Sequence, residues 1–138
     1  MSEAQSYRLL IADDHPLFRG ALREAVTGLF REVDIAEAGT FEEVTELAER
    51  GGDVDLILLD LAMPTITGFE GAKAFRKAAN TRDAILVAFS GMITEDEQAR
   101  FRRIGFDEVL PKPVAAIALV QRIEGFIARR RAAESSEA

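Results

Sequence analysis

The stretch from Asp55 to Pro64, Asp-Leu-Ile-Leu-Leu-Asp-Leu-Ala-Met-Pro, constrains this chain more than any other. Four consecutive aliphatic residues run into Asp60, and a proline follows four positions later. An apolar run without polar alternation suits a strand covered on both faces, as in a parallel sheet with helices on each side. Such a strand delivers Asp60 to its carboxyl end, the edge along which ligands bind in open α/β sheets. The competing reading is an aspartate that merely starts a turn. The neighbours of Asp60 decide between them.

Taken in order, the chain alternates two kinds of segment. Tyr7–Ala12 reads as a first strand, ended by Asp13-Asp14-His15-Pro16. Proline suits the first helical position, and an acidic pair suits a helix N-terminus. Phe18, Ala21, Leu22, Ala25, Val26 and Leu29 then fall at helical spacing. Val33–Ala38 is the second strand. Thr40, with Glu43 three residues on, predicts a capping box for a helix that Gly51-Gly52 stops. After the Asp55–Asp60 strand and a loop from Ala62 to Gly68, Phe69–Ala79 reads as a third helix. Ala84–Phe89 is another continuous apolar run, ending at Ser90-Gly91. Thr94 and Glu97 repeat the capping pattern for a fourth helix, which Gly105 closes. Phe106–Leu110 is a short fifth strand, and a last helix runs from about Val114 to Arg130. Five strands alternating with five helices imply a flavodoxin-like α/β fold: a five-stranded parallel sheet of order 2-1-3-4-5 with helices on both faces.

Composition narrows the function. At 138 residues one domain is expected, with enough buried surface to need no staples. The absence of cysteine excludes disulfides and thiolate chemistry, and the single histidine excludes a multi-histidine zinc site within one chain. A net charge of −7 disfavours direct nucleic-acid binding. No apolar stretch approaches membrane-spanning length and none reads as a signal peptide, so no membrane role and a cytoplasmic location are expected. Residues 1–6 are expected to be flexible, 7–131 to form the domain, and 132–138 to be a disordered tail or the start of a linker.

The predicted topology brings the ends of strands one and three together at a switch point. Asp13, Asp14 and Asp60 therefore meet, with Ser90 and Lys112 at the ends of the two neighbouring strands. Crowded carboxylates repel one another unless a cation joins them. An all-oxygen site with room for water and phosphate suits Mg2+. Asp13 and Asp14 are the expected metal ligands, helped by Asp60 and the backbone carbonyl of Ala62. An aspartate can act as a nucleophile towards phosphorus. Phosphoryl transfer then needs positioning and charge stabilisation, which the metal, Lys112 and the Ser90 hydroxyl would give to the three phosphoryl oxygens. On this reading Asp60 is the phosphoacceptor. His15 is expected to be a helix-start residue near the site, with a ligand role as the alternative.

Asp13-Asp14, Asp60 with Met63-Pro64 and Gly68, Ser90-Gly91 and Lys112-Pro113 resemble the receiver domain of two-component response regulators. The resemblance runs from about Tyr7 to Arg130. Asp13-Asp14-His15-Pro16-Leu17-Phe18-Arg19 is similar to the start of receivers that precede helix-turn-helix output domains. The resemblance implies phosphoryl transfer to Asp60 from a histidine kinase or phosphotransfer protein, dependence on Mg2+, and a switch passed to the face of helix four, strand five and helix five. It implies a signalling switch that assists only its own phosphorylation and dephosphorylation, not an enzyme acting on a metabolite.

Two positions depart from that pattern. The family usually has an aromatic residue three before the lysine, and here Val109 stands there, with no ring to swing. Pro111 removes a backbone donor at the end of strand five. A degenerate receiver serving as a binding module is therefore an alternative. A phosphatase making an aspartyl-phosphate is another, although it needs an acid/base carboxylate where Ala62 stands. On the last helix Ile117, Val120, Ile123 and Ile127 form a core face, and Leu119 and Phe126 widen the apolar arc. That extra apolar surface points to a partner or a homodimer. The alternative is that the chain's own fourth-helix side covers it.

Overall fold

The computed structural model describes residues 6–28, 32–50, 53–61, 68–91, 94–111, 121–126 and 128. Five strands, β1 (Ser6–Ala12), β2 (Glu32–Ala38), β3 (Leu56–Asp60), β4 (Ile85–Ser90) and β5 (Glu108–Pro111), form one parallel sheet of order β2-β1-β3-β4-β5. Between them run α1 (Pro16–Thr27), α2 (Phe41–Glu49), α3 (Gly68–Lys77) and α4 (Glu95–Arg103). Residues 121–126 are helical and belong to the expected last helix.

The apolar runs are buried on both faces. Every residue of β3 is buried. Leu10, Ala12, Ile57, Leu59, Leu86 and Ala88 point to one side, where Val44 of α2 and Phe75 of α3 cover them. The alternate residues Leu9, Ile11, Leu56, Leu58, Val87 and Phe89 meet Leu22 and Val26 of α1 and Ile123 on the other side. A period of two along each strand thus feeds two cores. Each fully buried Leu or Ile contributes roughly 1.5–3 kcal/mol. The three central strands are therefore the rigid part from which the site projects.

Local signals set most element ends. Thr94 caps α4 in a reciprocal box with Glu97. At α2 the box is shifted by one residue: Thr40 accepts from Glu43 N, but the Glu43 carboxylate accepts from Gly39 N at 2.9 Å. Strand five begins later than expected, at Glu108. The Asp107 carboxylate accepts the Leu86 N–H at 2.8 Å, a donor that a strand carbonyl would otherwise take. Phe106 is instead buried in the turn before β5, edge-on to Phe101 of α4 at 5.7 Å.

Candidate functional site

Register alone carries most of the site. Ala12 pairs with Leu59, so Asp13 and Asp60, next along each path, emerge at the same level of the sheet edge. Asp60 pairs with Phe89, which puts Ser90 one residue beyond it on the adjoining strand. Ser90 in turn pairs with Pro111, the residue before Lys112. The Asp13 N–H donates to Ala38 O at 3.0 Å, which holds the end of β1 against β2.

The carboxylates of Asp13 and Asp60 are buried, whereas Asp14 and His15 are exposed. The acidic pair precedes the first turn of α1 and does not lie within it. His15 is the N-cap and Pro16 opens the helix. Asp13 Oδ1 accepts the His15 backbone N–H at 2.7 Å, folding the turn back on itself. The imidazole also points into the cluster. Its Nδ1 lies 3.0 Å from Asp13 Oδ1, 3.1 Å from Asp14 Oδ1 and 3.7 Å from Asp60 Oδ2. One ligand atom from each of these four residues lies within 4.8 Å of the others.

Two further residues brace the turn. Arg19, one helical turn after His15, donates from Nη1 to Asp13 O at 2.6 Å and from Nε to Glu37 Oε1 at 3.0 Å. Arg23 reaches the other Glu37 oxygen at 2.8 Å. Glu37 stands near the carboxyl end of β2 and links that strand to α1. Sequence spacing placed His15 at the helix start, which accounts for its backbone but not for its ring. The signal for Arg19 was its position four residues after His15, the spacing that puts two residues on one helix face.

The donor set fits a divalent cation. Two buried carboxylates and one exposed carboxylate, converging on one point at a solvent-facing edge, supply hard oxygen ligands and leave room for water. Ser90, half-buried, adds a hydroxyl on the same edge. Ala62, Met63, Pro64, Lys112, Pro113 and Leu119 lie outside the described residues. Val109 is 2% exposed and packs on the α2, α3 and α4 side of the sheet. Phe126 is half-buried and packs against the core cluster that contains Leu22 and Val26 of α1. Among the described residues no helix is long and apolar enough to cross a membrane.

Comparison with known proteins gives the family and the fold. Residues 9–124 match the response regulator receiver domain profile. The chain is 35% identical over 103 residues to the glycerol metabolism activator of Pseudomonas putida, covering 75% of this chain and 45% of that protein. It is 36% identical over 95 residues to the nitrate/nitrite response regulator protein NarP of Escherichia coli, covering 65% and 41%. It thus spans less than half the length of these two relatives. Among solved structures, the signal receiver domain of a putative Luxo repressor protein from Vibrio parahaemolyticus superposes with a TM-score of 0.82 at 19% identity, covering 96% of this chain and 98% of that one.

Proposed function

The chain belongs to the response regulator receiver domain family, and we propose that within this phosphorylation-controlled signalling switch Asp60 accepts the phosphoryl group. The observation that carries the reading is a buried carboxylate at the carboxyl end of the central strand, clustered with Asp13 and Asp14. Ser90 ends the neighbouring strand one residue beyond it.

The chemistry follows from that placement. An Asp60 carboxylate oxygen attacks the phosphorus of a phosphohistidine on a histidine kinase or phosphotransfer protein. The new P–O bond forms as the P–N bond breaks, and the departing imidazole takes up a proton. Asp13, Asp14 and Asp60, with the carbonyl of Ala62, would hold Mg2+, which when bound offsets the negative charge of carboxylates and phosphoryl oxygens. The Ser90 hydroxyl and the Lys112 ammonium take the remaining phosphoryl oxygens. The chain's own residues position the group and stabilise its charge, so it assists its own phosphorylation and acts on no metabolite.

Residues 7–131 are the proposed receiver unit, with 1–6 and 132–138 as flanks, in the cytoplasm. The face of α4, β5 and the last helix passes the signal to a partner or output domain, and Leu119 with Phe126 is the proposed homodimer contact. The net charge of −7 argues that this unit does not itself bind nucleic acid.

The test is incubation with acetyl phosphate, or with beryllofluoride, in the presence and absence of Mg2+. Intact mass and amide NMR shifts are followed for the wild type and Asp60→Ala. An adduct and shifts that need both Mg2+ and Asp60 are expected. No such change would put the binding-module reading ahead.

A further inference from the structure

We propose that His15 is a fourth side-chain ligand of the cation site and tilts its preference from Mg2+ towards transition metals that favour nitrogen. The inference rests on the proposed reading of the same cluster as a divalent-cation site, and it concerns a residue outside the three carboxylates.

The imidazole is held at the carboxylates by polar contacts, with Nδ1 at hydrogen-bond distance from Asp13 Oδ1. Its side chain is 62% exposed, yet Nδ1 turns towards three carboxylates, at 3.0, 3.1 and 3.7 Å. A single N–H on that nitrogen could serve one of these oxygens well, or two poorly. A metal ion in the place of that proton would be shared with the Asp13 and Asp14 oxygens, at 3.0 and 3.1 Å from Nδ1. Ligands at adjacent corners of an octahedron with bonds of about 2.1 Å stand about 3.0 Å apart. The separations from Nδ1 to Asp13 and Asp14 match that edge.

The main chain holds the residue in position. His15 N donates to Asp13 Oδ1 at 2.7 Å, and His15 O accepts from Arg19 N at 2.9 Å. Pro16 follows and fixes the direction in which α1 departs. The ring therefore reaches the carboxylates from a braced backbone. Three carboxylates alone form a hard oxygen site suited to Mg2+; an added imidazole favours ions such as Ni2+, and accepts Mn2+ with a nitrogen in its first shell.

The experiment uses the full chain with any affinity tag removed. The sequence has one histidine, so an imidazole signal has one source. Pulsed EPR of the Mn2+-loaded protein is expected to show nitrogen modulation from a directly bound imidazole, lost in His15→Ala. Calorimetric titrations are expected to show that His15→Ala weakens Ni2+ binding by at least about tenfold while Mg2+ binding changes by less than about threefold. A thermal melt in metal-free buffer confirms that the variant is folded. If Mg2+ binds but the wild type shows no nitrogen modulation, or if the variant loses Ni2+ and Mg2+ affinity by the same factor, the inference about His15 is wrong and the proposed function stands. If Mg2+ does not bind the wild type, both fall.

Discussion

The Arg19 guanidinium donates to the main-chain carbonyl of Asp13 at 2.6 Å, so a side chain of α1 holds the backbone from which the first site carboxylate projects. The same guanidinium pairs with Glu37 on β2, 22% and 27% exposed respectively. The turn is thus fixed between two elements instead of relying on its own three residues, Asp13 to His15. Replacing Arg19 by Ala takes the charged donor from the Asp13 carbonyl and leaves the Glu37 carboxylate with Arg23 alone among the described residues. Hydrogen bonds to charged groups contribute roughly 1.5–3 kcal/mol. Urea denaturation is expected to show a loss in the lower part of that range, because the pair is partly solvated. Calorimetry should show several-fold weaker Mg2+ binding, since Asp13 loses its fixed approach. Glu37→Gln keeps the Arg19–Asp13 contact and should weaken Mg2+ binding less.

The cluster also sets a cost on the metal-free fold. Asp13 and Asp60 are buried, with Asp14 beside them, and like charges at such separations disfavour one another. Asp60→Asn removes one charge and keeps the shape. In metal-free buffer it is expected to gain about 1 kcal/mol, a rise in Tm of roughly 4 °C. Saturating Mg2+ at a hundred times its Kd should stabilise the wild type by about 2.7 kcal/mol. The variant should gain much less. Paired thermal melts with and without Mg2+ measure both effects, and an unchanged metal-free Tm would mean that neighbouring cations already neutralise the cluster.

The fold was legible because its signals are local and redundant. The run at Leu56–Leu59 reads as an inner strand of a parallel sheet and is one, and the Thr94–Glu97 pattern does open a helix. The carboxylates followed from topology, since knowing the strand order places Asp13 beside Asp60 without any side-chain detail. What stayed hidden depends on side-chain direction. The His15 ring and the Arg19 guanidinium each had several places to go, and sequence spacing does not choose among rotamers. The late start of β5 was hidden for a related reason. Asp107 reads as an ordinary polar residue until its carboxylate is seen taking the Leu86 N–H. Phe126 shows the limit of helical projection. Projection put it on a widened apolar arc; in the structure it is half-buried against the core cluster that contains Leu22 and Val26 of α1.

Val109, the position where the receiver resemblance implies a ring, is buried in the core. It is 2% exposed and packs in the same cluster as Ala88, its partner across the strand pair, with Phe101 of α4 and the C-cap residue Ile104 against that cluster. A ring there must displace something. Val109→Phe is expected to destabilise the fold by about 1–3 kcal/mol, the usual cost of overpacking a closed interior. Urea denaturation gives the value. A neutral or stabilising result would show that α4 yields easily and that the pocket for a ring persists.

Helix α4 is the described element held most by its ends. None of its nine residues is buried, and its sequence Glu-Asp-Glu-Gln-Ala-Arg-Phe-Arg-Arg has only one large apolar side chain. Its amino end is fixed by the Thr94–Glu97 box, with Glu97 N to Thr94 Oγ1 at 3.2 Å and Thr94 N to Glu97 Oε1 at 3.0 Å. Near its carboxyl end, Phe101 meets Phe106 and Arg102 pairs with Glu108, which also receives Arg122 of the last helix at 2.8 Å. Acidic residues fill its first turn and arginines its last, as the helix dipole favours. A helix built this way should open locally, without the sheet. Thr94→Ala removes one arm of the box and costs about 1 kcal/mol. Because α4 buries little, that cost should fall on local opening before global unfolding. Amides of residues 98–103 are expected to exchange about fivefold faster, the factor that corresponds to about 1 kcal/mol, while those of β1 and β3 keep their wild-type rates. Equal acceleration in β3 would mean that α4 opens only when the whole domain does, and that the face it shares with β5 moves as one unit with the sheet.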